Sequence, residues 1–114
     1  MACINRELAP EKGQYAVIFF TEREPDLPEY KAMNDALMLK LEGLDGYMGM
    51  DAFRGGPKGA DGVSVSYWRD EASIAAWSAD LLHRQAKARG RGEWYDAYRV
   101  VVCQIDRAML FTRG

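Results

Sequence analysis

Apolar residues occupy every position from Tyr15 to Phe20, a run rich in aromatic and β-branched side chains and too short for an ordinary helix. It predicts a first strand over 15–21. Pro25 and Pro28 end that strand, and Pro28 suits the first turn of a helix. Beyond it Tyr30, Met33, Leu37, Leu41 and Leu44 recur at three- and four-residue steps, which places them on one face of a helix that Gly43 or Gly46 stops. Residues 47–53 predict a second strand, and the glycine-dense segment 55–62 a flexible connection. Val63–Trp68 alternates, with Val63, Val65 and Tyr67 on one face and Ser64, Ser66 and Trp68 on the other. Asp70 is a good N-cap for a second helix over 71–89, carried by Ile74, Trp77, Leu81 and Ala88 and stopped by Gly90. Residues 94–105 predict a long fourth strand.

The order β-α-β-β-α-β is the split-βαβ pattern, so the expected fold class is α+β, a ferredoxin-like sandwich with both helices on one face of an antiparallel sheet. Strand 1 is apolar throughout. Strand 4 is apolar on both sides, with Val101, Cys103 and Ile105 alternating with Tyr98, Val100 and Val102. Two helices cover one face of such a sheet, so the other would lie in water as a large apolar patch. A homodimer with the two sheets face to face is the simplest closed solution.

Length and charge narrow the class. A chain of 114 residues has room for one core. Residues 14–106 form the expected domain, between an N-terminal arm over 1–13 and a C-terminal tail over 107–114. A net charge of −2 argues against a nucleic-acid partner. Cys3 and Cys103 are too few for a disulfide scaffold, no apolar run is long enough for a membrane span, and the N-terminus carries no leader pattern. The expectation is a cytoplasmic protein with free thiols and no membrane contact.

The glycine-rich segment 55–62 joins two strands and opens no helix, so it fits neither phosphate-binding fingerprint. A single histidine, with no CxxC or HExxH spacing, leaves no expected metal site. Ser64 and Ser66 lie on a strand without a nucleophile elbow, and Arg84, Lys87, Arg89 and Arg91 complement a helix C-terminus or hold a carboxylate-bearing ligand. Aromatic residues crowd the lone histidine: Tyr67, Trp68, Trp77, His83, Trp94, Tyr95 and Tyr98. In an unbroken helix His83 stands about 240° round from Trp77 at about 100° per residue, which makes it an edge residue beside a core tryptophan.

Ser66-Tyr67-Trp68, Trp77, His83, Ala86, Gly90, Trp94-Tyr95 and Tyr98-Arg99-Val100, with Phe19 and Thr21 in the first strand, resemble the antibiotic biosynthesis monooxygenase (ABM) superfamily over residues 14–106. The resemblance implies a dimeric α+β barrel with a pocket between helices and sheet. It also implies cofactor-free oxygenation of a small aromatic or hydrophobic molecule. On that footing His83 is the expected base, Tyr67 or Tyr98 the oxyanion donor, and Trp68, Trp77, Phe19 and Leu81 the substrate contacts. The haem-degrading branch matches at Trp77, but Lys87 stands where its histidine belongs and strand 1 lacks its asparagine. Haem held by His83, with Arg84 or Lys87 on the propionates, is therefore the alternative ligand. A non-catalytic dimer whose aromatic cluster is core is the third.

Overall fold

The structure, a computed structural model, describes residues 3–25 and 27–113, without the Leu81 side chain. The substrate contact expected of Leu81 thus lies outside the described residues. Four strands, β1 (Tyr15–Arg23), β2 (Tyr47–Gly55), β3 (Asp61–Trp68) and β4 (Tyr95–Gln104), form one antiparallel sheet in the order β2-β3-β1-β4. Helix α1 (Pro28–Glu42) joins β1 to β2, and α2 (Glu71–Ala79) and α3 (Leu81–Arg89) join β3 to β4. This is the ferredoxin-like α+β fold that the element order predicts.

Register sorts the side chains. Phe19 pairs with Ser64 on one side and Val100 on the other, and Thr21 pairs with Gly62 and Tyr98, so these residues share a face with Val17, Ser66 and Val102. Arg23 is on that face too and places its guanidinium over the ring of Tyr30 from α1, at 4.2 Å. The helices therefore cover this face. Ile18, Phe20, Val63, Val65, Tyr67, Val101 and Cys103 point the opposite way, as the alternation predicts. Phe20 and Phe53 are each 42% exposed there. The helical layer also stops short of β4, where Val100 and Val102 are each 51% exposed.

The arm is not loose. Cys3 pairs with Ala52 at the outer edge of β2, and the Asn5 main-chain N–H donates to Asp51 Oδ1 at 2.7 Å. A side chain at Gly49, whose φ is +137°, would strike Leu8, so the glycine is what lets the arm lie against the sheet.

The second helix is not the single rod expected over 71–89. Asp80 leaves the helical region, with φ −62° and ψ 133°, and divides it. Its carboxylate accepts from the N–H groups of Leu82 at 2.9 Å and His83 at 3.2 Å, capping α3 as Asp70 caps α2 through Ser73. The break resets the helical phase, which is why Ala86 is buried and Ala88, expected on the inward stripe, is exposed. Gly90 does not stop the chain: Gly90–Trp94 continues as a π-helical turn that buries Gly90 and Trp94.

Candidate functional site

The break at Asp80 makes the first group. Ending α2 leaves the Trp77 carbonyl without its ordinary helical partner. It accepts from the Asp80 N–H at 3.1 Å and lies 3.0 Å from His83 Nδ1. The imidazole lies flat on the Trp77 indole, with 4.4 Å between ring centroids and 9° between planes. The 240° separation expected of an unbroken helix is thereby corrected, since the chain folds back at Asp80. Nδ1 faces an oxygen acceptor and so carries the proton, which leaves Nε2 with its lone pair. Burial holds the His83 pKa below its ordinary value, outweighing the Trp77 carbonyl, which works the other way.

The second group stands on the helix-covered face. Phe19 meets Tyr95 edge-on at 5.7 Å and Tyr98 at 5.8 Å, and Tyr30 of α1 closes on Tyr95 at 5.9 Å and Trp94 at 5.4 Å. A Cβ at Gly90 would come within 2.6 Å of the Tyr95 ring, so the π-helical turn has glycine where that ring packs. Arg91 Nε donates to the Tyr98 hydroxyl oxygen at 2.6 Å, which leaves the Tyr98 O–H free to donate onward. Burial pushes the Tyr95 hydroxyl pKa up, and the neighbouring Tyr30 adds to the effect. Among the described residues, no hydrogen bond or ring contact joins this group to the Trp77–His83 stack.

Two expected site residues stand elsewhere. Trp68 is on the helix-covered face but only 1% exposed, with its indole N–H donating to Ser66 Oγ at 2.9 Å and its ring against Tyr47. It is core, with no face left for a substrate. Tyr67 projects from the opposite face and donates to Asp51 Oδ2 at 2.9 Å, on the carboxylate that anchors the arm. Burial and that carboxylate push its pKa up to about 12. Tyr67 and Tyr98 therefore do not share a pocket, because strand positions of opposite parity face opposite ways.

The basic cluster also resolves. Arg89 binds Glu93 at 2.9 Å and Glu29, and it stacks over Trp94, so it joins α1 to α3 rather than waiting for a ligand. A cleft of about 640 Å³ lies instead between α1 and the ends of β1 and β2, floored by Arg23 and Arg54. A lone arginine after an apolar run looks like an ordinary solvated strand end, and only the register places Arg23 under α1. Among the described residues, no group of three or more His, Cys, Asp or Glu side chains is placed to hold a metal, and no helix is long and apolar enough to cross a membrane.

No family model matches the chain. It is 31% identical to YqjZ of Bacillus subtilis over 102 residues, covering 90% of this chain and 88% of that protein. It is 28% identical over 96 residues to Jasmonate monooxygenase ABM of Pyricularia oryzae, covering 83% of this chain but 45% of the relative. A variant of SnoaB, a cofactor-independent oxygenase from Streptomyces nogalater, superposes with a TM-score of 0.70 at 9% identity, over 85% of this chain and 97% of that one. The chain therefore belongs to the same family as YqjZ, and it has the fold of SnoaB and of a putative antibiotic biosynthesis monooxygenase from Nitrosomonas europaea, which superposes with a TM-score of 0.68 at 14% identity over 85% of this chain and 94% of that one.

Proposed function

We propose that the chain works as a homodimer and oxygenates a small electron-rich aromatic, such as an anthrone, without metal or flavin. His83 carries the proposal. Its Nδ1 faces the Trp77 carbonyl, its Nε2 keeps a lone pair, and burial favours the neutral form, which is the state a general base needs. Trp77 flanks the base, Phe19 forms an aromatic wall, and Tyr98 offers its hydroxyl proton to the oxyanion.

In this scheme His83 takes a proton from the anthrone methylene. The resulting anion gives one electron to dioxygen, and the radical pair combines as a hydroperoxide. Loss of water then leaves the ketone. The methylene carbon has given up both hydrogens and gained one oxygen atom of dioxygen, while the other oxygen atom departs with those two hydrogens as water. The SnoaB likeness and the monooxygenase name of the Pyricularia relative support this reaction class. The exposed Phe20 and Phe53 on the open sheet face support the second subunit.

Oxygen uptake by chelator-treated protein across a panel of anthrones and hydroquinones tests the scheme. Turnover should fall about 10²–10⁴-fold in His83→Ala if the imidazole is the base. No uptake on any substrate, or unchanged turnover in His83→Ala, rejects it.

A further inference from the structure

The cleft between α1 and the sheet carries positive charge that no ion pair among the described residues answers. Arg23 as a whole residue is 9% exposed, and an arginine so covered is seldom left without a partner for its charge. Its Nη1 donates to the Glu24 carbonyl at 3.1 Å, and its other contact is the Tyr30 ring. Among the described residues, no carboxylate forms an ion pair with Arg23 or Arg54.

Four carboxylates of the neighbouring elements are engaged elsewhere. Glu24 takes Lys58 at 2.7 Å, Asp61 accepts the Arg23 main-chain N–H at 3.3 Å, and Glu29 takes Arg89. Lys31 and Asp35 on the α1 wall bind each other at 3.0 Å and cancel. Helix α1 opens on the same space. Among the described residues no side chain caps it at Leu27, so first-turn N–H groups face the same space as the two arginines, with Glu29 of that turn drawn to Arg89.

Register places Gly62 between Thr21 and Arg54, so Arg54 shares the helix-covered face with Thr21 and Arg23. Leu27, Pro28 and Tyr30 give it an apolar wall, and about 640 Å³ is the size of a small-molecule site.

We propose that this cleft binds a small organic carboxylate, with its anion on Arg23 and Arg54 and its apolar body against Leu27, Pro28 and Tyr30. Two guanidinium forks suit a flat carboxylate, and a bare inorganic ion would leave the apolar wall wet. The site involves no oxygen chemistry, so it stands or falls separately from the monooxygenase scheme.

The test is calorimetric titration of 2-naphthoate and its neutral counterpart 2-naphthamide into the full chain in the absence of substrate. Naphthoate should bind at least about tenfold more tightly, and added salt should weaken it. Arg54→Gln alters an exposed side chain and should lower naphthoate affinity about tenfold or more, while Arg84→Gln on α3 leaves it unchanged. Arg23→Gln should abolish binding in protein whose circular dichroism remains native; if that variant fails to fold, Arg54→Gln decides. Equal affinity for acid and amide, no effect of Arg54→Gln, or no binding at millimolar naphthoate overturns the proposal. Displacement of naphthoate by equimolar inorganic phosphate also overturns it, since the site would then recognise a bare anion.

Discussion

The His83 imidazole lies parallel to the Trp77 indole at 4.4 Å although the two residues are six positions apart, because Asp80 ends one helix and caps the next. The stack leaves the chain's one histidine half-buried, and burial holds its pKa below the ordinary value.

His83 should make stability fall on mild acidification. Its folded pKa lies below the ordinary 6.5, so the unfolded chain takes up the proton first as pH drops. The contribution is complete above about pH 6.5 and is lost as pH falls from there through the lower folded value. Denaturant midpoints at pH 7.5 and 5.5 should differ more for the wild type than for His83→Phe, which keeps a flat ring and cannot charge.

Removing the other half of the stack should move the titration. Trp77→Ala should cost about 3 kcal/mol, the low end for a large aromatic because Trp77 is half-buried. It should also return the His83 pKa toward 6.5, since burial is the main cause of its depression. Following the imidazole Cε1–H resonance against pH reads this directly, and an unmoved pKa would mean that the burial comes from elsewhere.

Gly90→Ala should destabilise the chain by about 1–3 kcal/mol, the usual cost of overpacking. The added methyl would stand within 2.6 Å of the Tyr95 ring, in the turn that buries Trp94. Urea unfolding followed by tryptophan fluorescence measures the loss.

Light scattering at micromolar protein should give about twice 12.9 kDa. Phe20→Asp combined with Phe53→Asp places two charges on the open sheet face and should yield a folded monomer. A wild-type monomer would remove the dimer from the functional scheme.

In activity, Tyr98→Phe should lower turnover about 10²–10³-fold if its hydroxyl meets the oxyanion. Tyr67→Phe should leave turnover near wild type and instead free the arm, because Tyr67 binds Asp51 on the opposite face. Steady-state oxygen uptake paired with proteolysis of the arm separates the two tyrosines.

The strands were legible because a period of two assigns each side chain a face without tertiary information: the alternation of Val63–Trp68 already separates Tyr67 from Trp68. Helix phase is more fragile. Ile74, Trp77, Leu81 and Ala88 fit one continuous stripe, and nothing in that spacing shows that Asp80 caps the residues after it rather than riding inside the helix. Asp80 with free N–H groups two and three positions later was the available signal, and an uninterrupted apolar rhythm hid it. Arg23 was hidden for a different reason, since its burial depends on Tyr30 closing over it from another element.

The pairing of Cys3 with Ala52 treats the two margins of the sheet unequally. Main-chain groups midway along β2 are already taken, with Cys3 N–H donating to the Ala52 carbonyl at 2.9 Å and Ala52 N–H to that of Cys3 at 3.3 Å. The margin at β4 has no strand beyond it among the described residues. An unblocked strand margin recruits more strands and seeds fibrils, whereas a sheet blunted on one side can recruit on the other alone. The arm thereby covers part of the β2 margin and leaves β4 as the margin with no main-chain neighbour beyond it among the described residues.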